Sequence, residues 1–135
     1  MRTIGQCCGS LLVAVSLLAV PVAVRAQSVV TVLTVKVKGD QDAYLAKTKP
    51  FTAIMKRNGA TSVRVLRAMV AGDRTGLISF VSEYPSLEAY GKSATQVAAD
   101  PELQKLRKDI EASGMREIVF SSLLVDVTPP ADAPK

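Results

Sequence analysis

The chain has 135 residues, 48% of them hydrophobic, with 17 basic side chains against 12 acidic ones, and it contains neither histidine nor tryptophan. Lack of histidine removes the commonest general base, and with Cys7 and Cys8 as the only cysteines it argues against the usual zinc, iron and copper sites. The basic residues are scattered and do not interleave with the six aromatics, so nucleic acid is not an expected partner.

Residues 1–26 have the order of a secretory signal. Arg2 supplies a positive start, residues 11–20 (LLVAVSLLAV) are apolar except for Ser16, Pro21 breaks the run, and Val24-Arg25-Ala26 offers a processing site. The sequence therefore predicts cleavage near Ala26 and a periplasmic or secreted protein with no membrane attachment after cleavage. An uncleaved anchor is the competing reading. It requires ~20 apolar residues, and Gly5, Gln6, Gly9, Ser10 and Pro21 weaken it. Cleavage would remove both cysteines, leaving 109 residues with 15 basic and 12 acidic side chains. Small exported domains often depend on disulfides; this one would depend on its core or on a second subunit.

Residues 29–38 (VVTVLTVKVK) are β-branched and predict the first strand. Asp40 follows as a helix cap, and residues 41–58 carry Phe51, Ile54 and Met55 at helical spacing. Pro50 is expected to kink this helix or to start its second part, and Asn58-Gly59 to close it. Residues 61–71 and 77–84 predict two strands joined by the turn residues 72–76 as an antiparallel hairpin. Ser86 then caps a helix with Leu87, Tyr90, Ala94 and Val97 on one face. Asp100-Pro101-Glu102 marks a fresh helix start, so the second helix is expected to break near Asp100. Leu103, Leu106 and Ile110 form the stripe of its second part, Gly114 ends it, and residues 115–127 predict the last strand. Residues 128–135 (TPPADAPK) read as a disordered tail, leaving 27–127 as the domain.

The resulting order, β-α-β-β-α-β, specifies an α+β, ferredoxin-like fold: a four-stranded antiparallel sheet with helices on one face. Strict alternation puts Ile118, Phe120 and Leu124 on one side of the last strand and Val119, Leu123 and Val125 on the other. Both sides are apolar, whereas a sheet with one wet face alternates polar and apolar. The helices cover one side, and a second copy of the chain is the simplest cover for the other. A homodimer through the sheet face is expected.

With this order in place, residues 29–127 resemble the dimeric α/β-barrel superfamily, in particular its antibiotic-biosynthesis-monooxygenase-like and NIPSNAP-like members. The resemblance is carried by the element order, the hairpin around Gly72 to Gly76, the segment Tyr84-Pro85-Ser86-Leu87-Glu88-Ala89-Tyr90, and the step Ala99-Asp100-Pro101-Glu102. It implies a dimeric barrel and no single activity. Haem-degrading and chlorite-dismutase-like members rely on histidine, and the former also on tryptophan, both missing here; no cofactor and no metal are expected. Members that oxygenate without a cofactor demand no fixed motif.

Five residues stand out as candidate ligand-binding groups. Arg64 and Arg67 interrupt the second strand and would anchor an anion; the structural alternative is a rim ion pair with Glu83 or Glu117. Their odd spacing sends them to opposite faces. Tyr44, Tyr84 and Tyr90 would line a cleft between helices and sheet, or else fill the core. No catalytic residue is assigned, since the strand serines have no base to activate them. The sequence thus favours an exported, non-catalytic dimeric barrel that binds a small apolar molecule or a protein partner. Two alternatives stay open: a cofactor-independent monooxygenase or isomerase for an aromatic or polyketide-like substrate, and a structural or stress-related interaction module.

Overall fold

The computed structural model describes residues 27–128. The expected signal, both cysteines and nearly all of the tail lie outside them. The elements are β1 (Val29–Val37), α1 (Gln41–Arg57), β2 (Ser62–Arg67), β3 (Ile78–Tyr84), α2 (Leu87–Ala99), α3 (Pro101–Ser113) and β4 (Arg116–Val125). The strands form one antiparallel sheet in the order β2-β3-β1-β4, the ferredoxin-like arrangement that the sequence order implied. No helix among the described residues is long and apolar enough to cross a membrane.

Local chemistry explains most boundaries. The Asp40 carboxylate accepts from the N–H groups of Asp42 and Ala43 and starts α1. Helix α1 runs continuously from Gln41 to Arg57 with Pro50 inside it, so the helix does not restart there. A proline inside a helix removes one backbone bond, and here the burial of Tyr44, Thr48, Ile54 and Met55 on both sides of it holds the helix together. Helix α3 ends where Gly114 takes a left-handed conformation (φ 61°) that costs glycine nothing. Strand β2 stops at Arg67, four residues short of its expected end. Residues 69–76 leave the ladder because their polar groups are met within the loop: Arg74 N–H donates to the Ala71 carbonyl, and Ala71 N–H to the Thr75 hydroxyl.

Asp100 is shared by two helices. Its backbone closes α2, and one side-chain oxygen caps α3 through the N–H groups of Glu102 and Leu103. The other oxygen accepts from Arg57 at 2.7 Å and from the Asn58 amide at 2.8 Å, which ties the end of α1 to the start of α3. The arginine and the amide together hold the Asp100 carboxyl well below the usual carboxylate range.

The side chains of β1 alternate with the pleat. Val29, Leu33 and Val35 face the helices, while Val30, Val32 and Thr34 face away. Two apolar clusters sit under the helix layer. One joins Val29, Ile54, Met55, Tyr84, Val97 and Leu103; the other joins Val35, Tyr44, Ile78, Phe80 and Ile110. Phe51 and Leu106 touch both clusters.

Strand β4 departs from strict alternation. Thr34 lies opposite Phe120 and Val35 opposite Ile118, so Val119 is an extra residue in a β-bulge. The bulge reverses the phase of the strand. Ile118 therefore shares the helix side with Leu123 and Val125, and Phe120 shares the far side with Leu124. This corrects the grouping of Ile118 with Phe120 and Leu124. The helix layer also stops short of β4, where Ile118 stays 55% exposed despite facing the helix side.

Candidate functional site

The gap between the helix layer and β4 opens into a cleft with two adjoining lobes. The larger, about 380 Å³, lies between α1, α3 and the β4 side of the sheet. The smaller, about 250 Å³, lies toward α2. Leu33, Phe51, Phe80 and Arg107 line both. The wall combines aliphatic side chains with a group of aromatic rings. Phe80 on β3 meets the ring of Phe51 edge-on at 5.2 Å and that of Tyr44 at 6.3 Å.

The polar residues of the larger lobe are Tyr44, Thr48, Arg107, Glu111, Arg116 and Ser121. Tyr44, at the start of α1, is fully buried, and its hydroxyl has no hydrogen-bond partner. Leaving such a group unpaired costs about 1–3 kcal/mol. Burial raises its pKa above the ordinary tyrosine value. Arg116 counteracts this from close by, without reaching satisfactory hydrogen-bond geometry. Arg116 and Ile118 reach the larger lobe from β4, and Arg107 and Glu111 reach it from α3. Neither Arg107 nor Arg116 forms an ion pair among the described residues.

The five candidates from the sequence divide cleanly. Tyr44 lines the larger lobe; Tyr84 and Tyr90 line the smaller one, ring against ring at 5.4 Å. Burial raises the pKa of Tyr84 as well. The two arginines lie elsewhere. Arg64 is on the far face of the sheet in an ion pair with Glu83, one of the rim partners expected for it. Arg67 projects from the opposite side of β2 and reaches Asp42 in the first turn of α1 at 3.2 Å. The arginines of the cleft are instead Arg107 and Arg116, which sequence reasoning missed. Arg107 follows Leu103 by four residues and precedes Ile110 by three, so helical spacing already set it on the apolar stripe. Arg116 carried no such signal. Alternation counted back from Phe120 puts it on the far face, and only the bulge turns it inward.

This arrangement can enclose an apolar body and offer it donors of hydrogen bonds. No group of three or more carboxylates among the described residues is placed to hold a metal ion.

Solved structures share the whole architecture. A cofactor-independent oxygenase from Streptomyces nogalater, SnoaB, superposes with a TM-score of 0.59 at 15% identity, over 79% of this chain and 100% of its own. The shared fold is the α+β, ferredoxin-like one. A NIPSNAP family protein of unknown function from Agrobacterium tumefaciens gives a TM-score of 0.59 at 16% identity, over 82% of this chain and 94% of that one. A dimeric ferredoxin-like protein from an uncultured marine organism gives 0.57 at 14%, over 77% and 99%. No family model and no curated protein matches the sequence. At these identities the likeness is one of architecture, and one fold can host unrelated activities.

Proposed function

We propose that this chain is an exported homodimeric barrel protein whose cleft binds a small apolar molecule. The observation that carries the binding role is the cleft itself: a space of about 380 Å³, lined by aliphatic and aromatic side chains with several polar ones, left open between α1, α3 and β4. Ligand sites of small molecules begin at about 300 Å³ and are mostly apolar with a few placed polar groups. The neutral fluorophore N-phenyl-1-naphthylamine tests it. Its emission rises to saturation with the wild-type protein, and Leu106→Glu, which sets a charge in the cleft, abolishes the rise while circular dichroism stays unchanged. No enhancement with the wild type overturns the reading.

Dimerisation is supported by the far face of the sheet, where Leu66 (50%), Phe120 (51%) and Leu124 (51%) stand exposed. A stable partner face covers about 800 Å² per subunit, and apolar area removed from water contributes ~25 cal/mol per Å². Sedimentation as a monomer at micromolar concentration overturns it. Export rests on the charged, apolar and small-residue order of residues 1–26. N-terminal sequencing of the secreted product tests it, with a start near Gln27 expected and an intact Met1 against it.

A second reading is favoured by one observation, the buried Tyr44 hydroxyl beside Arg116 in the cleft. Such groups suit the cofactor-independent oxygenation named for SnoaB. Oxygen uptake with anthrone as substrate, above the spontaneous rate and lost in Tyr44→Phe, supports that activity; uptake equal to the spontaneous rate rules it out for this substrate class.

A further inference from the structure

We infer that the ligand of the cleft is an anion: an apolar body carrying a single carboxylate or comparable oxyanion, held at Tyr44 and Arg116 with Arg107 at the junction of the two lobes. The inference rests on the apolar-cleft reading above and adds the chemistry of the ligand's polar end.

Three observations converge on it. The Tyr44 hydroxyl is buried and lacks a partner, although the rest of its ring is packed against Phe80 and its neighbours. A buried hydroxyl is normally satisfied within the protein; this one is sealed by its neighbours, so a ligand in the lobe reaches it only as those side chains part. Beside it stands Arg116, whose guanidinium offers only donors. Arg107 faces the same lobe from α3, also without an ion pair among the described residues. Of the other described arginines, Arg57, Arg64 and Arg67 sit in ion pairs and Arg74 does not.

The charge of the lobe decides between ligand classes. Its ionised side chains are Arg107, Arg116 and Glu111, a net single positive charge against an apolar wall. A neutral apolar molecule would itself offer Arg116 and Arg107 no acceptor. A cation would add to the repulsion. One oxyanion balances the charge and accepts from the three donors in bonds that are charge-assisted, hence short and strong. The body of the ligand then lies along Phe51, Phe80 and Leu33, which continue from the larger lobe into the smaller.

Isothermal titration of the purified protein with two probes of one shape tests this: 2-naphthoate and 2-naphthamide. The carboxylate is expected to bind at least about tenfold more tightly than the carboxamide, the advantage of a charge-assisted contact. Arg116→Met should erase that preference while leaving naphthamide binding in place, which also shows that the variant is folded. Tyr44→Phe should reduce it in part. Equal affinity for the two probes overturns the anion assignment and leaves the apolar cleft standing. A preference that survives both Arg116→Met and Arg107→Met overturns the residues named here. Failure of both probes to bind overturns the cleft reading, and this inference with it.

Discussion

The two faces of the sheet are built by the same strands from much the same residues, yet they end in different states. On the helix side Val29, Val35 and Ile78 are fully buried. On the far side Leu66, Phe120 and Leu124 keep about half of their surface, although leucine and phenylalanine are no less apolar than valine. What separates the faces is what lies opposite. Helices α1 and α3 are pinned over one face by their own caps and by the Arg57–Asp100 tie, and no helix among the described residues covers the other. An apolar residue makes a core only where the chain brings it a neighbour.

Substitutions can break this contrast or sharpen it. Phe80→Ala, on the covered face, is expected to cost ~3–5 kcal/mol of unfolding free energy in urea titrations, since it leaves a cavity among Tyr44, Phe51 and Ile110. Phe120→Ala, on the open face, should cost well below that when measured at low protein concentration; equal losses at both positions would erase the distinction. Phe120→Glu should weaken the proposed dimer by roughly 100-fold, as a buried unpaired carboxylate does, and leave the subunit folded. Analytical ultracentrifugation reads the first effect and circular dichroism the second.

The tie that fixes the helix layer is sensitive to acid. The folded pKa of Asp100 lies below its unfolded value of ~3.9, so its contribution is complete above that value and is lost as pH falls through it toward the folded pKa. The stability difference between wild type and Asp100→Asn should thus be largest near neutral pH and shrink below about pH 4. Urea midpoints at pH 7, 4 and 2 check it, and a gap that widens on acidification contradicts it. Tyr44→Phe should be neutral or gain up to ~1 kcal/mol, because it deletes an unpaired buried hydroxyl. The smallest change belongs to Arg64→Ala, whose exposed pair with Glu83 is worth ~0–1 kcal/mol.

The fold was legible wherever the signal was local. Periodicity, caps and turn residues located all four strands, the break at Asp100 and the glycine stop at Gly114. The limits of that reading are local as well. Pro50 stayed in its helix because packing on both sides outweighs one lost bond. The end of β2 depended on how residues 69–76 satisfy their own polar groups. Of the candidate residues, the three tyrosines line the cleft, as aromatic residues on apolar faces point inward. Arg64 and Arg67 were singled out because they interrupt a strand, but exposed carboxylates at Glu83 and Asp42 claim them. Arg107 was hidden among neighbouring charges at Lys105 and Lys108, despite its position on the stripe. Arg116 was beyond reach, since nothing in a single strand marks where its partner will skip a residue.

The bulge at Val119 has a consequence for how the two sides of the molecule influence each other. Ile118 and Phe120 stand on either side of it, one in the wall of the cleft and the other on the open face. The strand there is a party wall. Whatever settles in one room presses on the partition of the other, and a change of affinity in one direction must be returned in equal measure in the other. Ligand and second subunit, if both are bound, are thermodynamic neighbours across a single peptide's thickness.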